Sequence, residues 1–266
     1  MHLLDLSLPD PAENLACDEA LLDFFEERGG TGILRFWEPE EYFVVVGYAN
    51  HVQTEVDVPA CDAAGIPIFR RCSGGGTVLQ GPGCLNYSLV LNIDETRPLH
   101  SITSANKFIM EQNRAAIETC SSRHEEALSS SEKSQRLVTS SPTVEILGHT
   151  DLSLVTRHSS LVTSLKFSGN AQRRKKHFLL FHGTFLLNFD LQLVEKYLRM
   201  PSKEPDYRQG RSHKKFLTNL NLPPSDVKKA VRETWSASGT MEVVPRDAIT
   251  LLARDKYVTK EWNFKF

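Results

Sequence analysis

Three short segments carry residue types suited to chemistry. The first is Arg70-Arg71-Cys72-Ser73-Gly74-Gly75-Gly76-Thr77-Val78-Leu79-Gln80-Gly81-Pro82-Gly83. Each glycine adds backbone freedom that folding must remove, so three in succession need a reason. They let backbone N–H groups approach an anion closely, and Arg71 offers a fork of donors matched to phosphate. A glycine-rich hairpin turn accounts for the same run without a ligand. No Gly-Lys-Ser/Thr follows, which excludes a Walker A loop. A GxGxxG at a strand-to-helix turn is also missing, which excludes a dinucleotide fingerprint.

The second segment is Lys166-Phe167-Ser168-Gly169-Asn170-Ala171, followed by Gln172-Arg173-Arg174. A lysine beside small residues is a candidate nucleophile or electrostatic clamp, although most lysines are solvated surface charges. The basic run Arg173 to Lys176 has no interleaved aromatics, so it reads as a solvated loop and not as a nucleic-acid surface. The third segment is His182-Gly183-Thr184-Phe185-Leu186-Leu187-Asn188. Here His182 is either catalytic or a hydrogen-bonded histidine at a strand end.

The elements that must position these groups are mixed. Asp10-Pro11 caps and starts a helix that places Cys17, Leu21, Phe24 and Phe25 on one face and stops at Gly29-Gly30. Strands are expected over 33–37 and 42–46, then 66–70 after a short helix ending at Gly65, and over 85–93. A helix over 101–120 carries Ile102, Ala105, Ile109 and Ala116 at helical spacing. Residues 121–142 are serine-rich and aperiodic, the signature of a surface loop or insertion. Strands resume over 143–147 and 152–156, then over 178–181 and 184–188 on either side of His182-Gly183. Lys166 falls next to a small-residue turn. A helix over 190–198 leads into a basic, proline-bearing stretch, and Ser225 caps a last helix with Val227, Ala230 and Val231 buried. This pattern predicts an α+β fold, with mixed or antiparallel sheets flanked by helices, in one domain spanning 1–266.

Bulk properties narrow the class. A net charge of -2 does not point to nucleic acid or membrane as a partner. No run approaches the roughly 20 apolar residues of a bilayer span, and the first residues lack the pattern of a signal peptide. Five cysteines, an odd number with no CxxC pair, suit a reducing cytoplasm better than a disulfide framework.

Taken in order, the segments resemble the lipoate–protein ligase A family, within the larger group of biotin and lipoate protein ligases. The matching pieces are Asn14 to Glu19, Arg35-Phe36-Trp37 with Val44 to Gly47, Arg70 to Val78, Thr150-Asp151-Leu152, Lys166 to Ala171, His182 to Asn188 and Glu261 to Phe264. The resemblance covers nearly the whole chain apart from 121–142. It implies an enzyme that uses ATP to convert lipoate, or octanoate, to acyl-AMP. The acyl group then passes to a lysine of a lipoyl domain of a 2-oxoacid dehydrogenase E2 or of the glycine-cleavage carrier protein. By the same resemblance Arg71, Ser73, Gly74, Gly75, Gly76, Thr77, Val78, Leu79 and Lys166 hold the nucleotide and acyl phosphate. Lys166 bridges the α-phosphate and acyl carbonyl. Trp37, Val45, Arg71, Gln80 and Ala171 contact lipoate, and Asp151 is a candidate Mg²⁺ ligand.

Three departures stand out. Gln80 occupies a position where the family often has histidine, the stretch before Thr150 is long, and the C-terminal accessory domain of many relatives does not follow Trp262. The last point implies an accessory subunit supplied in trans. An octanoyltransferase drawing on acyl carrier protein shares these motifs. It needs a cysteine nucleophile; no cysteine occurs after Cys120, and Cys72 and Cys84, which flank the glycine loop, are the candidates that remain. A non-catalytic lipoyl-binding protein is the third reading, against which the intact Arg71, glycines and Lys166 stand.

Overall fold

In chain order the strands are β1 (His2–Asp5), β2 (Ile33–Trp37), β3 (Phe43–Val46), β4 (Ile68–Arg70), β5 (Val78–Gln80) and β6 (Cys84–Asn92), followed by β7 (Thr143–Leu147), β8 (Asp151–His158), β9 (Leu161–Arg174), β10 (Phe178–Leu186) and β11 (Gly239–Thr240). They are taken from a computed structural model that describes residues 1–93, 98–127, 142–158 and 161–266. Eight strands form one sheet in the order β11-β1-β2-β6-β10-β9-β8-β7, and three form a second in the order β4-β3-β5. Most neighbours are antiparallel. The exceptions are the β11–β1–β2 edge and the β3–β4 pair. The expected α+β architecture is what the chain adopts.

Side-chain alternation divides the large sheet into two faces. On β6, Leu85, Tyr87, Leu89 and Leu91 point one way, joined by Leu179, Phe181 and Phe185 of β10. The helices Ile102–Ala127 and Pro224–Thr234 cover this face through Ala105, Ile109, Ala116, Val227 and Val231. Val90, Phe178 and Leu180 point the other way, into a core shared with the first helix, Pro11–Arg28, and with Trp37, Phe43 and Val45. The small sheet is therefore wrapped on both sides, because Val44 and Val46 alternate with Phe43 and Val45 and pack in a third cluster. Among the described residues no helix is long and apolar enough to cross a membrane.

Several expectations change. Lys166 to Ala171 lie within the long strand β9 and not beside a turn. His182 and Gly183 sit inside one continuous strand and do not separate two. The helix expected over 101–120 runs to Ala127, so 121–127 are helical, while 128–141 lie outside the described residues. Ile102 is 58 % exposed, because it sits in the first turn, before the helix reaches the sheet. Pro223 caps the Pro224–Thr234 helix, so Ser225 does not. The helices Arg246–Leu252 and Lys260–Asn263 were not anticipated. The latter is held by Arg70, which is fully buried and donates to the carbonyls of Gly47, Tyr48, Asn50, Trp262 and Asn263.

Candidate functional site

A cavity of about 820 Å³ lies where the large sheet, the small sheet and the 199–217 segment meet. Its wall includes Trp37, Val45, Arg71, Gly75, Gly76, Thr77, Val78, Leu79, Gln80, Asp151, Lys166 and Ala171, all singled out from the sequence. Ser73 and Gly74 do not line it. Ser73 is 1 % exposed and lies behind Arg71, while Gly74 is exposed.

Alternation explains why the cavity is polar at its centre. Along β10 the residues facing the first helix change from Phe178 and Leu180 to His182 and Thr184. On the neighbouring β9 strand, Ala171 pairs with His182 and Gly169 with Thr184, so both share that face. Strict alternation from these would turn Lys166 into the helix-covered core. A bulge between β8 and β9 prevents this: Leu152 pairs with Ser168 but Ser153 with Lys166, leaving Phe167 as the extra residue. Bulges re-aim side chains in this way. Phe167 is fully buried in the core under the long helix, and Lys166 turns into the cavity beside Gly169.

The Lys166 ammonium sits 2.8 Å from Asp151 Oδ1, and the Tyr207 hydroxyl donates to Asp151 Oδ2 at 2.7 Å. Burial, together with the facing Asp151 carboxylate, pushes the Tyr207 phenol well above its ordinary range, so it stays a donor. Tyr207 is carried on the basic segment that sequence reasoning left unassigned. Arg211 pins this segment to β9 by donating to the Ser164 carbonyl and hydroxyl. No sequence pattern marks Tyr207, since 56 residues separate it from Asp151.

These contacts bear on the expected Mg²⁺ ligand. Both Asp151 oxygens are engaged, and among the described residues no group of three His, Cys, Asp or Glu could hold a metal ion. Mg²⁺ is commonly held by one or two carboxylates together with substrate phosphates and waters; in the free protein the Asp151 carboxylate holds Lys166 and Tyr207.

Arg71 folds the glycine loop. Its Nη2 donates to the carbonyls of Gly74 and Gly76 at 2.6 and 2.7 Å, and its Nε to Ser73 Oγ at 3.1 Å. Gly75 has φ +88°, and a Cβ there would fall 2.9 Å from Arg71 Nη2, so the loop needs glycine both for its dihedral and for the close approach. Burial lowers the Arg71 guanidinium only to about 10, so it remains a cation at neutral pH. Gln80 closes a hydrogen-bonded triangle with Asn86 and Thr184, facing the cavity.

None of the five cysteines lines this cavity, and all are buried. Burial raises the thiols of Cys72 and Cys84 to about 12 and those of Cys17, Cys61 and Cys120 to about 11. Each is therefore a neutral thiol and a poor nucleophile.

Sequence reasoning also missed Asp18 and Arg35, whose buried ion pair spans 2.7 Å and whose carboxylate reaches His182. The signal was present as two charged residues on otherwise apolar, core-facing stretches of the first helix and β2.

Known proteins bear out the architecture. The chain is 27% identical to octanoyltransferase LipM of Geobacillus kaustophilus, with 99% of this chain and 98% of that protein aligned. It is 24% identical to octanoyltransferase LipM of Bacillus subtilis, over 99% and 98% respectively. Its fold is similar to that of a bipartite lipoate protein ligase from Thermoplasma acidophilum, with a TM-score of 0.75 at 23% identity, covering 99% of this chain and 95% of that one. It is also similar to that of a lipoate-protein ligase A solved with ATP, with a TM-score of 0.72 at 24% identity, covering 99% and 98%. Residues 10–235 match the family model of the lipoyl protein ligase A/B catalytic domain, and the chain belongs to that family.

Proposed function

We propose that this protein is an acyl-adenylating ligase. It joins lipoate, or an octanoyl chain, to AMP at the expense of ATP and then to a lysine of a lipoyl-acceptor protein. The observation that carries this reading is that the cavity is bordered by Lys166, Arg71 and the glycine loop but by no thiol. The apolar side chains of Leu15, Trp37, Val45 and Val78 suit an acyl chain. Arg71 and the glycine loop suit the phosphates. Lys166 meets the carboxylate as it attacks phosphorus and the carbonyl oxygen as the acceptor amine attacks carbon, so one cation serves both half-reactions. Asp151 and Tyr207 hold that cation until substrate arrives.

One structural relative, a lipoate-protein ligase A bound with ATP, supports the nucleotide part of this reading, and the archaeal lipoylation system that pairs a bipartite ligase with an E2 lipoyl domain supports the acceptor. The names of the curated relatives favour a second reading, octanoyl transfer without ATP. That reaction proceeds through an acyl-enzyme, for which this chain offers five buried, neutral thiols, none of which lines the cavity. ATP–pyrophosphate exchange by the purified protein, with lipoate and with octanoate, separates the two. Carboxylate-dependent exchange is expected. No exchange, together with octanoylation of a lipoyl domain from octanoyl-acyl carrier protein, would overturn the ligase reading.

A further inference from the structure

His182 belongs to none of the steps above, yet it joins the first helix to the glycine loop. Its side chain is 11 % exposed; Nδ1 lies 3.0 Å from Asp18 Oδ2 and Nε2 lies 2.6 Å from Ser73 Oγ. Asp18 takes Arg35 Nη1 on its other oxygen at 2.7 Å, and Arg35 is itself fixed by the Leu6 carbonyl and Asn14. Burial pushes the Asp18 carboxyl up. The His182 hydrogen bond and the Arg35 charge more than offset this and hold it below the usual carboxylate range. Asp18 is therefore an acceptor, which makes His182 Nδ1 the donor. In the neutral imidazole Nε2 is then left as the acceptor and takes the Ser73 hydroxyl proton. With that proton committed, Ser73 Oγ accepts from Arg71 Nε. Every bond in the series has one direction, and it ends on the arginine whose Nη2 folds the glycine loop.

We propose that His182 is a positioning residue. Through Ser73 it sets the orientation of Arg71, and so the shape of the glycine loop, before any substrate binds. The connectivity is that of a serine nucleophile with its base and orienting carboxylate. Ser73, however, is 1 % exposed, lies outside the cavity wall and already donates and accepts a hydrogen bond. It transmits geometry and does not attack. The effect on catalysis rests on the loop holding the nucleotide, as proposed above; the effect on the loop itself does not.

The test compares Ser73→Ala, Ser73→Thr and His182→Ala by two readouts. The first is hydrogen–deuterium exchange of backbone amides in residues 71–79 of the free protein. The second is KM for ATP against kcat in pyrophosphate exchange. Ser73→Ala leaves Asp18, Arg35 and His182 paired, so it reads the link without unfolding the core, should His182→Ala prove too unstable. Loss of one buried link should speed loop exchange about tenfold and raise KM for ATP by a similar factor, with kcat falling less. Ser73→Thr, which keeps the hydroxyl, should restore both. Unchanged loop exchange in Ser73→Ala and His182→Ala would overturn the proposal. So would an acyl ester on Ser73 after incubation with an octanoyl thioester. If the wild type shows no exchange with any carboxylate, the ligase reading fails, while the loop measurement still decides the role of His182.

Discussion

In a Gly169→Ala variant the new Cβ falls 2.8 Å from Lys166 Nζ and 2.9 Å from its Cε, with Asp151 Oδ1 at 3.7 Å. Ordinary contact requires 3.4 Å or more, so the ammonium must retreat by about 0.6 Å or swing away from Asp151. The clash is with the far end of a flexible side chain, and the backbone of Gly169 has no positive φ, so the strand accommodates alanine. Removing a glycine from a strand interior also lowers the entropy of the unfolded chain, which stabilises by about 0.4–1 kcal/mol. Stability should therefore hold or rise while the reaction slows. Misplacing a catalytic group by ~1 Å costs on the order of 100-fold, or about 2.7 kcal/mol of barrier. The assay is single-turnover acyl transfer to a lipoyl domain, alongside thermal melting. Lys166→Ala serves as the reference for complete removal of the cation, expected to lose about 10²–10³. A Gly169→Ala protein with wild-type rates would refute the placement of Lys166 at the reacting atoms. An activity loss that tracked a fall in melting temperature would refute the separation of the two effects.

Other outcomes follow from the same geometry. Tyr207→Phe leaves one Asp151 oxygen without its donor; it should lower the acyl-transfer rate by about tenfold with little change in melting temperature, given about 1–3 kcal/mol for an unsatisfied acceptor. The Cys72→Ser, Cys84→Ser double variant should still form acyl-AMP, and the native protein should resist thiol reagents until denatured, because all five thiols are buried and protonated; rapid native labelling would contradict this. Asp18 has its carboxyl held low in the folded state, so its contribution is fully present above the ordinary carboxylate range and is lost as pH falls through the folded value. Melting temperature should therefore drop below about pH 4. Asp18→Asn should flatten that decline and cost about 3–5 kcal/mol at neutral pH by stranding Arg35, and calorimetry across pH checks both. Arg70→Met should destabilise by about 3 kcal/mol or more by leaving buried carbonyls unpaired, with limited proteolysis first cutting residues 260–266.

The chemistry-bearing segments were legible because each breaks a local rule. Three glycines in a row, a lysine among small residues, and His-Gly inside an apolar run are all poor choices for packing alone. The first helix was equally legible, since Asp10 caps it, Pro11 starts it and Leu15, Leu21, Leu22 and Phe25 recur at its buried positions. The helix at Lys260–Asn263 was not, because four residues carry no periodicity and their stability comes from Arg70, more than 190 residues away in sequence. The serine-rich stretch shows the opposite error: its composition masked the last turns of the Ile102–Ala127 helix, where exposed polar residues are tolerated.

The sequence by itself determined the α+β class, the family resemblance and the inventory of groups a site would use. It also determined that no cysteine follows Cys120, since an absent residue type needs no coordinates to be known. Only the tertiary structure decided how those groups meet. A single bulge at Phe167 chooses which face of β9 receives Lys166, and a period-two pattern in sequence cannot announce where it shifts by one. Asp151 became the partner of Lys166 and Tyr207, and His182 became the link from Asp18 to Ser73, because contacts of long sequence separation arise from strand order, which local residue preferences do not encode.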